Sequence, residues 1–382
     1  MAPVAPPLPS KKMAELLKDQ FFQPGFIKEL GQAIHQNFHS FDTRAFGEDV
    51  FNDPWDQLEL KGRMSHIATM LQKHLPHDFP KALGILKKVV SRFNGFDAMV
   101  FPDFVRQFGL DHWELSMDAL EIFTQYSSAE FAIRSFIIRD QDRTMEKMLS
   151  WSRHENHHVR RLSSEGCRPR LPWAMALPEF KNDPSDILPI LENLKADESE
   201  YVRKSVANNI NDISKDNPDT VLALCRRWSN GLKETQWIIR HGLRSLIKKG
   251  SQPALDILGY RSSNIELKKF SLEPENIQLG ESIKLQFELT NMAKSTASVV
   301  VDYVIHFRKA NGSNTPKVFK LTNLEMGPGT THQFSKVHKI VPITTRTYYG
   351  GEQVVEVQVN GEILGSRRFN LALEDESPEP VA

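Results

Sequence analysis

From Met13 to about Leu258, apolar residues recur at three- and four-residue spacing, the pattern that turns one face of a helix toward a core. Phe79–Phe93 and Trp113–Thr124 are typical stretches. Asn94-Gly95 and Asp183-Pro184-Ser185 mark places where such helices stop. From about residue 128 a weak repeat emerges in the fragments AEFAIRSFIIR, NHHVRRLSSEG, SEYVRKSVANN and TQWIIRHGLRS. Each carries a branched aliphatic followed by arginine: Ile133-Arg134, Val159-Arg160, Val202-Arg203 and Ile239-Arg240, at separations of 26, 43 and 37 residues. Near Ser262 the period changes to two. Ile283, Leu285, Phe287 and Leu289 alternate with polar residues, as do Val301, Tyr303, Ile305 and Phe307. Val355, Val357 and Val359 run into Asn360-Gly361, a strong hairpin-turn pair.

DESEYVRKSVANNI is close to the consensus of a HEAT-repeat second helix, and such helix pairs stack into solenoids. The fold expected is therefore a HEAT-like α-helical solenoid followed by an immunoglobulin-like β-sandwich, a multidomain α + β chain. Its expected parts are a disordered lead-in over 1–12, the repeat domain over 13–260, the sandwich over 261–372 and an acidic disordered tail over 373–382. The proline-rich start has no apolar core of a secretory signal, and no apolar run approaches the ~20 residues that span a bilayer. With two cysteines in 382 residues a disulfide framework is out of play, which fits a reducing, cytoplasmic setting. Net charge is zero, but residues 130–250 hold 21 Lys/Arg against 17 Asp/Glu and four histidines. An excess of that size permits nucleic-acid binding without requiring it.

The repeat register gives a facial argument. If the branched aliphatic packs inward, residues two and six positions later share another face, being four apart. These are Arg161 and Glu165, then Lys204 and Asn208 with Asp212 a turn on, then His241 and Ser245. One face would offer cations around two carboxylates and an amide; the plainer alternative is a set of solvated helix positions. The arginine directly after each aliphatic belongs rather to a ladder between repeats. Between the second and third repeats, Gly166-Cys167-Arg168-Pro169-Arg170-Leu171-Pro172-Trp173 cannot be regular helix. Trp173 either packs on a sugar or base there or plugs the gap between repeats. His154-Glu155-Asn156-His157-His158 matches the zinc-peptidase spacing H-E-x-x-H. It lies at the start of a repeat helix, and no third ligand stands where the extended metzincin pattern needs it; Glu179 is at a distance some gluzincins use. No metal or cofactor is therefore expected.

AEFAIRSFI, HHVRRLSSEGCRPRLPWA and VANNINDISKDNP, in that order and ahead of a sandwich, resemble the AlkC branch of the bacterial HEAT-like-repeat DNA glycosylases, over about residues 12–372. The resemblance implies a monofunctional glycosylase that removes cationic alkylated bases, N3-methyladenine and N3-methylcytosine among them, from duplex DNA without fully flipping them. It carries catalytic roles to Glu130 in SAEFAIR, Glu165 in SSEG and Asp212 in NNINDIS, and lesion contact to Trp173, with Asn208 added from the facial argument. Arg161, Arg168, Arg170, Lys204 and His241 are expected to hold DNA, joined by Arg346 in the sandwich loop Thr344-Thr345-Arg346. The expected partner is double-stranded DNA bearing alkylated bases, met by a monomer with no membrane association. The rivals are a non-enzymatic repeat scaffold and a DNA-damage binder without excision activity.

Overall fold

The computed structural model describes residues 17–52, 54–260, 264–343 and 346–373. The expected lead-in, nearly all of the acidic tail, and Thr344-Thr345 lie outside the described residues. Two compact units divide the chain: 1–221 with 230–242, and 222–229 with 243–382.

The first unit is helical. Ile133, Val159, Val202 and Ile239 are each fully buried, so the repeated aliphatic does set the inward face. Helices Leu60–His74, Val100–Phe108 and Glu130–Arg139 pack in succession, as do His157–Glu165, Glu200–Ile213 and Lys233–Gly242. Local chemistry fixes their starts. Asp42, Asp140 and Asn156 accept hydrogen bonds from backbone N–H groups of the first turns they precede, satisfying donors that a helix leaves unpaired. Two of the arginines after the aliphatics, Arg134 and Arg160, tie repeats together, and Arg203 fastens the turn ahead of its own helix. Arg134 is buried and donates to the carbonyls of Gly166, Arg168 and Met175. Arg160 grips Asp197 through Nε at 2.6 Å and Nη2 at 3.1 Å, while Arg203 donates to the carbonyls of Asp197 and Glu198. No helix among the described residues is long and apolar enough to cross a membrane.

The second unit holds the sandwich. Strands β1 (Ile265–Glu273), β3 (Ser282–Asn291) and β6 (Thr331–Lys339) form one antiparallel sheet in the order β1-β3-β6. The other runs β2-β8-β7-β4-β5, from β2 (Asn276–Gln278), β8 (Glu362–Ala372), β7 (Gly351–Val359), β4 (Ala297–Arg308) and β5 (Asn314–Met326), with β2 parallel to β8. The alternating residues of β3, β4 and β7 meet between the sheets in one core. Asn360 and Gly361 take φ of 46° and 81°, the left-handed pair that a two-residue hairpin requires. Residues 243–260 are helical yet group with the sandwich, where Leu255, Tyr260 and Val300 form a small apolar cluster.

Gly166 ends helix His157–Glu165 against the preceding repeat. A Cβ there would stand 2.5 Å from Cγ2 of the buried Ile133 and 3.2 Å from Cε of Met148. Gly166→Ala is therefore expected to lower stability by about 1–3 kcal/mol, read as a lower urea midpoint at unchanged slope.

Candidate active site

Three helices, one from each of three repeats, bring the chemistry together. Helix Glu130–Arg139 supplies Glu130 in its first turn, helix His157–Glu165 supplies Arg161 and Glu165, and helix Glu200–Ile213 supplies Asp212. The proline-interrupted loop after Gly166 turns Arg168 back between the last two. The result is a line of alternating charge. Arg161 bridges Glu130 and Glu165, reaching the latter at 3.4 Å, and also donates to Ser128. Arg168 donates through Nη1 to Glu165 at 2.7 Å and through Nε to Asp212 at 2.9 Å. Lys215 closes the line on Asp212 at 3.0 Å. Behind Glu165, the Ser205 hydroxyl donates to Ser164 Oγ at 3.0 Å.

Burial makes these contacts consequential, because unpaired charge there would be costly. Glu165, Arg168 and Asp212 are 5%, 6% and 2% exposed. The carboxylates are driven apart. Burial, reinforced by the negative charge of Glu165, pushes the Glu130 carboxyl above its ordinary range despite Arg161. Burial acts the same way on Glu165, but Arg161 and Arg168 together outweigh it and hold that carboxyl low. Glu165 is the fixed anion of the pair, and Glu130 the better proton acceptor.

Glu130 and Arg161 open onto a pocket of about 490 Å³, whose wall also includes Ser128, Phe131, His158, Trp173 and Tyr201. Glu165 and Asp212 sit deeper and reach it through the two arginines. The Arg161 guanidinium lies 4.8 Å from the Tyr201 ring, and His158 meets the same ring edge-on. Trp173 stands at the rim, 42% exposed, with φ of 63°. A tryptophan in that left-handed region costs about 1–3 kcal/mol and persists only where its surroundings impose it.

The residues expected from sequence fall into three groups. Glu130, Arg161, Glu165, Arg168 and Asp212 join in one network, and Trp173 shares the pocket with its outer end. Arg168 was expected on DNA phosphate; it is instead committed between two buried carboxylates, because the loop folds inward. The remaining cations have other partners. Arg170 forks onto Asp216 at 2.6 and 2.8 Å, exposed Lys204 pairs with Glu200, and His241 stacks on Trp237 at 3.8 Å. Asn208 is half-buried on the Asp212 helix outside the pocket wall. Arg346, on the sandwich, lies 3.9 Å over the Phe307 ring. The H-E-x-x-H residues do not form one helical turn: Asn156 caps a helix that begins at His157, and His154 faces Glu121 instead. Sequence reasoning passed over Tyr201 and His158 as pocket residues. Their common signal is position, since each directly precedes the buried aliphatic of its repeat.

Residues 123–246 match a family described as DNA alkylation repair enzyme, and residues 266–373 match the C-terminal Ig-like domain of the uncharacterised protein YhaZ. The chain is 40% identical over 360 residues to YhaZ of Bacillus subtilis (strain 168), covering 94% of this chain and 100% of that one. Among solved structures it resembles the Pseudomonas fluorescens alkylpurine DNA glycosylase AlkC bound to DNA containing an abasic site analog. That match has a TM-score of 0.88 at 40% identity, over 93% of this chain and 99% of the other.

The charge line yields a stability prediction. Arg168→Met strands Glu165 and Asp212, so a loss of about 3–5 kcal/mol is expected at pH 8. In the wild type the depressed Glu165 carboxyl contributes stability that is present above its ordinary value of 4.5 and lost as pH falls. Without Arg168 that contribution shrinks to what Arg161 still supplies, so the gap between variant and wild type should hold steady above pH 4.5 and narrow as pH falls below it. Urea unfolding at pH 8 and 3.5 measures it, and an equal gap at both would contradict the assigned pairing.

Proposed function

The chain belongs to the DNA alkylation repair enzymes in their AlkC-type form with a C-terminal Ig-like domain, and from that premise we propose that it is a DNA glycosylase excising cationic alkylated bases. The substrates inferred are N3-methyladenine and N3-methylcytosine in duplex DNA, removed without full flipping of the nucleotide. The observation that carries the reading is the line of three carboxylates whose outer member, Glu130, faces a pocket rimmed by aromatic residues.

The chemistry fits the residue types. Alkylation at a ring nitrogen leaves the base positively charged, so it departs as a neutral molecule and needs little help from an acid. The remaining work is to stabilise an oxocarbenium-like sugar and deliver water to C1′. Glu130, held above the ordinary glutamate range, takes the proton of that water. Glu165 and Asp212, set back behind Arg161 and Arg168, are assigned to stabilising the developing sugar cation from the deeper end of the line. Trp173 packs on the damaged nucleotide beside Tyr201. Asn208 is assigned to the lesion strand. Arg170, Lys204 and His241, and Arg346 on the sandwich, are assigned to phosphates. The exposed pairs Arg170–Asp216 and Lys204–Glu200 are weak enough to exchange a carboxylate for a phosphate, giving affinity that falls with salt.

The decisive test is release of free base from methylated duplex DNA with EDTA present. Glu130→Gln and Asp212→Asn are each expected to slow release by about 10²-fold or more, while affinity for lesion-free duplex is retained. The wild-type rate should fall on the acid side with an apparent pKa above 4.5, a limb absent in Glu130→Gln. Parallel loss of rate and binding would assign these carboxylates to structure, and release abolished by chelation would return attention to His154 and His158.

A further inference from the structure

The conformation of Trp173 is imposed from outside its own loop. Its indole is too exposed for packing to dictate a left-handed backbone. Its carbonyl, however, accepts a 2.7 Å hydrogen bond from Nζ of Lys61, a residue 112 positions earlier. The same ammonium lies 4.6 Å from the centroid of the Phe131 ring. Phe131 follows Glu130 in the chain, and both line the pocket with Trp173. On its other sides Lys61 borders two smaller cavities, about 140 Å³ shared with Phe131 and about 260 Å³ shared with Trp173. There is room here for the rim to move, and one cation spans it.

Lys61 has little local reason to be where it is. It is the second residue of helix Leu60–His74, where a positive charge opposes the helix dipole. Its acidic neighbour Asp103 is already held by Arg106 at 2.6 Å and Gln107 at 2.8 Å. Burial, with Arg106 nearby, lowers its basicity, while Asp103 opposes the drop.

We infer that Lys61 is a positioning residue for base excision: its ammonium pins the Trp173 carbonyl against the Phe131 ring and so sets how the indole meets the damaged nucleotide. The inference rests on the glycosylase reading. Lys61 touches no reacting atom; it acts through Trp173.

The experiment compares the full-length chain with Lys61→Met, Lys61→Arg, Trp173→Ala and the Lys61→Met/Trp173→Ala double variant. Single-turnover release from methylated duplex is measured with enzyme in excess. Lys61→Met keeps the aliphatic stem and is expected to slow release by about tenfold or more, at unchanged urea midpoint and unchanged affinity for lesion-free duplex. Lys61→Arg should recover most of the rate, and the double variant should be no slower than Trp173→Ala. A Lys61→Met rate equal to wild type, or slowing that adds to that of Trp173→Ala, overturns the assignment. A second arm does not depend on activity. The fluorescence difference between the wild type and Trp173→Phe isolates Trp173, and acrylamide should quench that difference more strongly when both chains carry Lys61→Met. If the wild type releases no base, the glycosylase reading fails, and this arm alone decides whether Lys61 holds Trp173; unchanged quenching would refute it.

Discussion

The Arg168 guanidinium, held between Glu165 and Asp212, is the contact on which the rest of the site depends. It joins the end of one repeat helix to the end of the next across a loop that two prolines keep out of regular structure. Both carboxylates are buried, so each needs it and it needs both. Its own backbone is fixed in turn, because Arg134 reaches from the preceding repeat to the carbonyls of Gly166, Arg168 and Met175. Two arginines thus fold the loop from either side, one by charge and one by backbone capture. Trp173 lies between these anchors, and its own carbonyl is held by Lys61 at the pocket rim.

This division of labour separates two kinds of arginine that look alike in the repeat. Those directly after the buried aliphatic, Arg134, Arg160 and Arg203, serve architecture: they saturate carbonyls, and Arg160 also grips an aspartate. Arg161, one position further along its helix, faces the pocket and balances two glutamates. A shift of one residue rotates a side chain by about 100° and changes its role from scaffold to site.

Much of this was legible in the sequence, and the limits are instructive. The aliphatic register located the inward face, since Ile133, Val159, Val202 and Ile239 are all fully buried, and the period-two runs located the sandwich strands. Arg161 and Glu165 could be placed on a common face by spacing alone, and the proline-interrupted loop singled out Trp173, whereas Glu130 came into consideration through family resemblance. The inward turn of Arg168 was not readable, because a loop with two prolines has no period from which to infer where a side chain points. Tyr201 and His158 were passed over although their position before the aliphatic repeats; His158 drew attention only through an apparent metal motif, which the cap at Asn156 breaks. Lys61 had no sequence signal at all, since its partner lies 112 residues away.

The alternation of charge has a consequence for approach to a polyanion. Glu130, Glu165 and Asp212 are matched by Arg161, Arg168 and Lys215, so the line has almost no net charge when viewed from far away. A field built of neighbouring opposite charges dies away much faster than that of a lone ion, and salt shortens it further. Phosphates running along a duplex would therefore not be repelled by these three acids. On the proposed glycosylase reading, a sugar brought within a few ångströms of Glu130 would meet that carboxylate individually, before its neighbours cancel it. An enzyme whose chemistry needs anions can in this way rest against DNA, concealing them at the range of the backbone and revealing them at the range of a bond.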